Sequence, residues 1–479
     1  MTHSRSEPDT SLTQPEQGLP VVRPLPVEIT ALDAFRALRA LPHVVYFDSA
    51  MPHEQLGRYS FVVADPFQWL TAPADGSDAL GMLEAEWQKY LTATVEGLPP
   101  FQGGAAGLLG YELCHSLERL PRPEYDEFQV PALAMGLYDV VAAFDHQTGQ
   151  GWLISQGFPE TEPARRRQRA LERCEEFYQL ILSPPESTDA PVSETIRAAE
   201  LAPQFDVGEG LTSDFSREAY LTAVAQAVEY IHAGDIFQVN LSQRLLLPAS
   251  SSSADLYERL RERNAATFAG YCDLGEFQIV SASPERFLRV AGDHVETRPI
   301  KGTRPRTSRP EADLFAGDEL SQSAKDRAEN VMIVDLLRND LSRVCQPDSV
   351  RVTQLCGLES YAYVQHLVSA VEGNLQPGKT SIDLLRASFP GGSITGAPKV
   401  RAMEIIAELE PTARGAYCGS LAYIGFDGAM DSNLLIRTIT AGGGWWQVPA
   451  GGGIVADSDP RREYEETWHK AHGMLRARD

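Results

Sequence analysis

No apolar stretch in this sequence of 479 residues is long enough to cross a bilayer as a helix, so a membrane span is not expected. Cysteine supplies no framework either. The six cysteines, Cys114, Cys174, Cys272, Cys345, Cys356 and Cys418, are scattered and none forms a C-x-x-C pair, which fits a reduced cytoplasmic setting. Positive charge is scarce: 42 Lys and Arg stand against 66 Asp and Glu, a formal charge of −24, so nucleic acid is not an expected partner. The same surplus sets a condition on any anionic substrate, which needs a locally positive or metal-filled site to enter the surrounding field. Residues 1–26 are polar and Pro-rich and lack a basic segment followed by an apolar run. They read as a disordered arm and not as a signal peptide.

What is present suits a globular body, with 43% hydrophobic and 23% charged residues and enough chain to bury a large core. A breaker-rich stretch from Ser183 to Pro203 separates two textures, so 183–212 reads as a linker or exposed loop between an N-terminal region, 27–182, and a denser region, 213–479. Strand-like alternation marks Val44 to Phe47, Phe277 to Val280, Phe287 to Val290 and Val295 to Ile300, and Asp427-Gly428 signals a hairpin. Helices are expected over Glu162 to Ile181, from a cap at Ser323 through Val331, Val334, Leu337 and Leu341, and from a first turn at Pro398 through Val400, Met403, Ile406 and Leu409. The class is α+β with mostly antiparallel sheets, the N-terminal region adding strands to the same body.

Two pairs of acids fall at helical spacing, Asp326 with Glu329 and Glu463 with Glu466, the latter followed one turn on by Lys470. Carboxylates from two separated helices suit a hard cation such as Mg²⁺; a solvated acidic face is the plainer alternative. Three glycine-rich segments permit close backbone approach to a small anion: Gly391 to Lys399, Pro299 to Thr303 with Gly302 in it, and Gly451-Gly452-Gly453. The first is no nucleotide loop, because Gly396 is followed by Ala-Pro-Lys. Arg437, expected on an alternating strand with Asn433 and Leu435 on its face and Tyr417 opening the partner strand, suits either a bidentate carboxylate grip or a structural ion pair. Lys301, flanked by Arg298 and Arg304, is expected to have a depressed pKa and to be available as a neutral nucleophile. Glu285 is a general-acid candidate if its pocket raises its pKa.

Together SASPERF, PIKGTRPR, KDRAENVMIVDLLRNDL, VQHL, FPGGSITGAPKVRAMEII, YCGSLAYIGFDG, NLLIRT and GGGIVADSDPRREYEET closely resemble the chorismate-utilising enzymes, almost continuously over Phe215 to Asp479. That resemblance implies a two-sheet α/β sandwich with helices outside. It further implies Mg²⁺ on Glu329 and Glu466 with Glu463 near, bridging to a carboxylate of chorismate. The enolpyruvyl carboxylate is expected at Arg437, Tyr417 and the backbone of Gly451 to Gly453, and the ring against His366 and Thr395. Gln238 stands where water-using members carry a lysine base, which leaves the ammonia users. Among those, members that release pyruvate and make anthranilate have alanine in PIAGT, whereas members that aminate chorismate and keep pyruvate have lysine, as in PIKGT here.

The resemblance also implies a partner. A glutaminase elbow, G-x-C-x-G, is not matched, because Cys418 in Gly415-Ala-Tyr-Cys418-Gly419 is one place out of register, so ammonia is expected from a separate glutaminase subunit. The family's N-terminal tryptophan pocket would fall near Ser49 and Arg58. Asn264-Ala-Ala-Thr-Phe268-Ala departs from the Asn-Pro-Ser-Pro-Tyr-Met of feedback-sensitive members, so inhibition by tryptophan is not expected.

Overall fold

The computed structural model describes residues 20–51, 56–184, 195–306, 309–360 and 364–478. Two antiparallel sheets pack face to face. The larger runs, edge to edge, through Val21–Pro24, Gln150–Ser155, Val140–Asp145, Tyr59–Val63, Val45–Asp48, Ala269–Asp273, Phe277–Ser281, Thr438–Gly442, Trp445–Ile454, Gln238–Pro248, Leu211–Ser213 and Phe205–Gly208. The smaller runs through Ile300–Pro305, Val364–Asn374, His294–Thr297, Arg286–Ala291, Met430–Asn433, Ser420–Gly425, Gly104–Leu109, Leu133–Tyr138 and Gln68–Ala72.

Period-two alternation builds the layers, because successive side chains leave opposite faces of a strand. In Gly104–Leu109, Ala106 and Leu108 face the other sheet, while Ala105 and Leu109 face the helices Ala79–Trp87, Ala324–Ser342 and Ser381–Ser388. In Phe277–Ser281, Phe277 and Ile279 point between the sheets, while Val280 joins the layer under Ala31–Leu38, Pro163–Leu182 and Ser253–Arg263. The result is helix, sheet, sheet, helix, the expected sandwich. The N-terminal region shares both sheets, since Val45–Asp48 pairs with Ala269–Asp273 and Gly104–Leu109 pairs with Ser420–Gly425.

Four local expectations need correction. Val21–Pro24, inside the stretch expected to be a disordered arm, pairs with Trp152 to Ser155 and buries Val21 and Val22; residues 1–19 of that arm lie outside the described residues. The expected linker ends in two strands, Phe205–Gly208 and Leu211–Ser213, that extend the edge of the larger sheet. The run Val295 to Ile300 is two strands, because Arg298-Pro299 interrupts it and Pro299 cannot donate to a ladder. Pro398 precedes helix Lys399–Leu409 as its extended cap residue. The helix Pro163–Leu182 and the hairpin of Ser420–Gly425 with Met430–Asn433 match expectation.

Two helices matter for the site. Ala324–Ser342 starts where the Ser323 hydroxyl accepts from the Asp326 amide at 3.3 Å, and it buries Ile333, Val334, Leu337 and Leu341. Val331, expected on that apolar stripe, is exposed. Pro460–Leu475 starts at Asp459, whose carboxylate accepts from two first-turn amides, and it buries Glu463, Thr467, Ala471 and Met474.

Candidate active site

A cleft of about 760 Å³ opens where these two helices approach the strand Ile300–Pro305, the Gly391 to Thr395 loop and the glycines of Trp445–Ile454. Lys301, Gly302, Glu285, Glu329, His366, Tyr417, Arg437, Gly451, Gly453, Glu466 and Lys470 all line it, so residues far apart in sequence and picked out individually converge on one wall.

Gly302 explains how Lys301 enters. The ladder with Val364–Asn374 shifts register between Lys301 and Thr303, and Gly302 occupies that bulge at φ +74°, where a Cβ would collide with Leu320 and Asp326. Lys301 donates from Nζ to the Ser393 carbonyl at 3.1 Å. Burial pushes its pKa down, with Lys470 adding to the effect and Glu329 and Glu285 opposing it. The direction is the one expected, but the cause is not. Arg298 pairs with Glu359, and Arg304 lies 3.3 Å from Glu319 and 3.6 Å from Asp326, so the flanking arginines are neutralised elsewhere. Glu285 is buried, and burial raises its pKa against the pull of Lys301. It accepts from Ser393 Oγ at 2.9 Å and from the Ile300 amide at 3.4 Å.

Arg437 is not on a strand. The chain leaves the smaller sheet at Asn433 and joins the larger at Thr438, and Arg437 lies in the crossing at φ 51°. Among the described residues its guanidinium has no carboxylate partner within ion-pair distance, and burial lowers its pKa. A structural ion pair is thereby replaced by an open grip on the cleft wall. Tyr417 is buried beside it, before the strand Ser420–Gly425 begins. His366 is pushed down to about 4, first by burial and then by Arg437, so the ring is neutral at pH 7. Thr395 does not line the cleft: fully buried, it donates its hydroxyl to the Gly391 carbonyl at 3.0 Å. The backbone of Thr303 pairs with His366.

The acidic side of the cleft has a different texture. Glu466 lies 2.7 Å from Lys470, which also donates to the Gly451 carbonyl at 2.8 Å. Burial works to raise the Glu466 pKa, but Lys470 holds it below the usual range. Glu329 and Glu463 are both raised, chiefly by burial. Lys325 spans them, at 3.9 Å from Glu329 and 4.0 Å from Glu463, and Ser458 donates to Glu463 at 2.7 Å. A Cβ at Gly452 would stand 3.4 Å from Glu463 Oε2 and 3.6 Å from Glu466 Oε1, so this backbone lies against the two carboxylates. Among the described residues no three His, Cys, Asp or Glu side chains already form a metal cluster. Oxygen donors from two helices, crowded enough that a lysine ammonium bridges two of them, nevertheless fit a hard cation.

Ser393, Lys325 and Asn240 were not picked out as site residues in the sequence, and Asn264 only as part of a regulatory motif, yet all four line the cleft. Ser393 stands in the glycine loop that was, so its place between two glycines and a helix was the available signal. Gln238 lies behind the wall: a Cβ at Gly453 would run into its amide, which has no partner among the described residues.

The family model for chorismate binding enzyme matches residues 45–476. The chain belongs to the chorismate binding enzymes. It is 47% identical to anthranilate synthase component 1 of Thermus thermophilus over 79% of this chain and 78% of that one. It is 38% identical to aminodeoxychorismate synthase component 1 of Escherichia coli over 92% and 94%. Among solved structures it resembles anthranilate synthase component I from Streptococcus pneumoniae with a TM-score of 0.72 at 30% identity, covering 88% and 93% of the two chains.

A second cavity, of about 290 Å³, lies between the sheets. Ser49 and Arg58 line it together with Thr267 and Phe268. Ser49 Oγ donates to the Tyr59 carbonyl at 2.6 Å, and Arg58 lies 2.7 Å from Asp145.

Proposed function

We propose that this chain is the component I of an aminodeoxychorismate synthase, converting chorismate and ammonia to 4-amino-4-deoxychorismate on the route to p-aminobenzoate and folate. The observation that carries this assignment is Lys301: a partly buried amine with a lowered pKa, lining the same cleft as an acid whose pKa is raised, at the place where anthranilate-forming members of the family have alanine.

The residues divide the work. Arg437, Tyr417 and the Gly451 to Gly453 backbone hold the enolpyruvyl carboxylate, with neutral His366 beside the ring. Glu329 and Glu466, with Glu463 near, would hold Mg²⁺, which when bound offsets the charge of the other carboxylate. Glu285 donates its proton to the 4-hydroxyl, which leaves as water. The neutral Lys301 amine forms a bond to C2 as the ring double bond shifts toward C4. Ammonia then bonds to C4, the C2–N bond to Lys301 breaks, and the lysine returns to its free form. Ammonia would come from a separate glutaminase subunit. Pyruvate stays on the product, so p-aminobenzoate needs a later lyase. We read the cavity at Ser49 and Arg58 as a tryptophan pocket without feedback control.

A second assignment, anthranilate synthase component I, is favoured by the 47% relative. Incubating the chain with chorismate, Mg²⁺ and ammonium and weighing the products by mass spectrometry decides between them. Aminodeoxychorismate is the expected product; anthranilate as the main product would overturn the assignment.

A further inference from the structure

Lys301 and Glu285 face one cleft with opposite ionisable groups, yet the structure records no ion pair between them. Each is held by Ser393, through a different atom. The Lys301 ammonium donates to the Ser393 carbonyl at 3.1 Å, and the Ser393 hydroxyl donates to Glu285 Oε1 at 2.9 Å. Ser393 is only 6% exposed, and its loop is fixed on every side. Arg414 donates to the Ile394 carbonyl at 3.1 Å and Thr395 to the Gly391 carbonyl at 3.0 Å. Beneath the loop, Lys399 bonds Asp340 at 2.7 Å and the Ser388 carbonyl at 2.6 Å. Leu434 and Leu336 leave no room for a side chain at Gly391 or Gly392.

We infer that Ser393 is a positioning residue that keeps the nucleophile and the acid of this site apart. A buried ammonium and carboxylate at close range attract strongly. Direct contact would leave the lysine protonated, hence not nucleophilic, and the glutamate ionised, hence unable to donate. With Ser393 between them the two groups point at different substrate atoms from fixed backbone. This inference rests on the roles assigned above to Lys301 and Glu285.

The test uses Ser393→Ala, Ser393→Cys and Ser393→Thr in the full chain. Cysteine keeps the size and loses most of the donor strength, so it stands in if the alanine variant does not fold. Two measurements are made: steady-state chorismate consumption, and the rate at which an acylating reagent labels Lys301 without substrate, read by peptide mass. In the alanine and cysteine variants kcat should fall about thirtyfold with KM for chorismate within about threefold, and labelling of Lys301 should slow about tenfold. The threonine variant, which keeps the hydroxyl, should recover both to within about threefold. Wild-type labelling in the alanine and cysteine variants, or a rise in KM with unchanged kcat, would overturn the inference. Labelling is read without substrate and consumption without naming the product, so a wrong product assignment is told apart from a wrong role for Ser393.

Discussion

The two cavities of this molecule treat charge in opposite ways. Of the three arginines that line the cavity between the sheets, two have carboxylate partners: Arg58 pairs with Asp145, and Arg286 with Glu296 and Asp431 at 2.8 and 2.9 Å. Asp48, on the same wall, accepts from Tyr46 at 2.9 Å, from Tyr257 at 2.8 Å and from Arg261 at 2.6 Å. In the cleft, Arg437 has no carboxylate partner among the described residues and Lys301 has only a carbonyl, while at its acidic edge Glu329 and Glu463 share one lysine, Lys325. A paired charge stabilises the fold it sits in, whereas an unpaired one is uncomfortable until something arrives. The proposed function makes the cleft a place that a ligand completes, whereas most of the charge around the inner cavity is already paired.

The largest expected effect tests the cleft side. Lys301→Ala should lower aminodeoxychorismate formation at least about a thousandfold, because it removes the proposed nucleophile and leaves Arg437 and the acids in place. Since alanine recreates the PIAGT pattern, some 2-amino product or anthranilate is expected in its stead. Product analysis by mass spectrometry reads both. Lys301→Arg keeps the charge without a comparable nucleophile and should be similarly inactive. A near-native Lys301→Arg enzyme, with no mass increment on Lys301 in chorismate-treated wild type, would return this residue to a merely paired role.

Glu466→Gln comes next. If Glu329 and Glu466 hold a weakly bound divalent cation as proposed, loss of one leaves too little charge, so turnover should fall about a hundredfold or more and need far higher Mg²⁺. Mg²⁺ titrations of both enzymes check this. An unchanged rate and an unchanged Mg²⁺ dependence would make the acidic wall another paired, structural surface, and the contrast between the cavities would narrow.

How much of this contrast was legible in the sequence depends on distance along the chain. Phe277–Ser281 and Arg286–Ala291 announce themselves by alternation, and Ala324–Ser342 by its Ser323 cap and its apolar spacing, because local patterns encode them. Arg437 did not. Asn433, Leu435 and Arg437 alternate as a strand would, but the Leu434 amide bonds the Glu285 carbonyl and the Leu435 amide bonds the Gly419 carbonyl, which pull the chain across to the other sheet. The neutralising partners of Arg298 and Arg304 likewise come from segments that only folding brings near. Val21–Pro24 is too short to signal a strand, and its partner is more than a hundred residues away. Ser393 could be seen as part of a glycine loop, but its two contacts needed the fold.

Arg261→Ala tests the inner cavity by its stability. The variant leaves Asp48 buried with two tyrosine hydroxyls and no cation, which should cost roughly 3 kcal/mol. Urea unfolding measures it. Chorismate kcat and KM on the folded fraction should stay as in wild type, because the Arg261 guanidinium bonds Asp48, which lines the inner cavity and not the cleft. Kinetic loss without loss of stability would mean that the two cavities communicate.

The smallest expected effect is that of added tryptophan. The cavity at Ser49 and Arg58 has the volume for one amino-acid side chain, and Thr267 and Phe268 line it where feedback-sensitive relatives of the family carry a Pro-Tyr-Met sequence. Feedback requires that the ligand bind two states of the enzyme with different affinities, since equal affinity shifts nothing however tight the binding. Arg58, Arg286 and Asp48 around this cavity already have their partners, so their pairing gives an arriving amino acid no means of favouring one arrangement over another. Tryptophan at millimolar concentration should therefore change turnover by less than about twofold, even if calorimetry detects its binding. Strong inhibition at micromolar tryptophan would require a bistable element between the sheets, and it would turn the inner cavity from a completed structure into a control site.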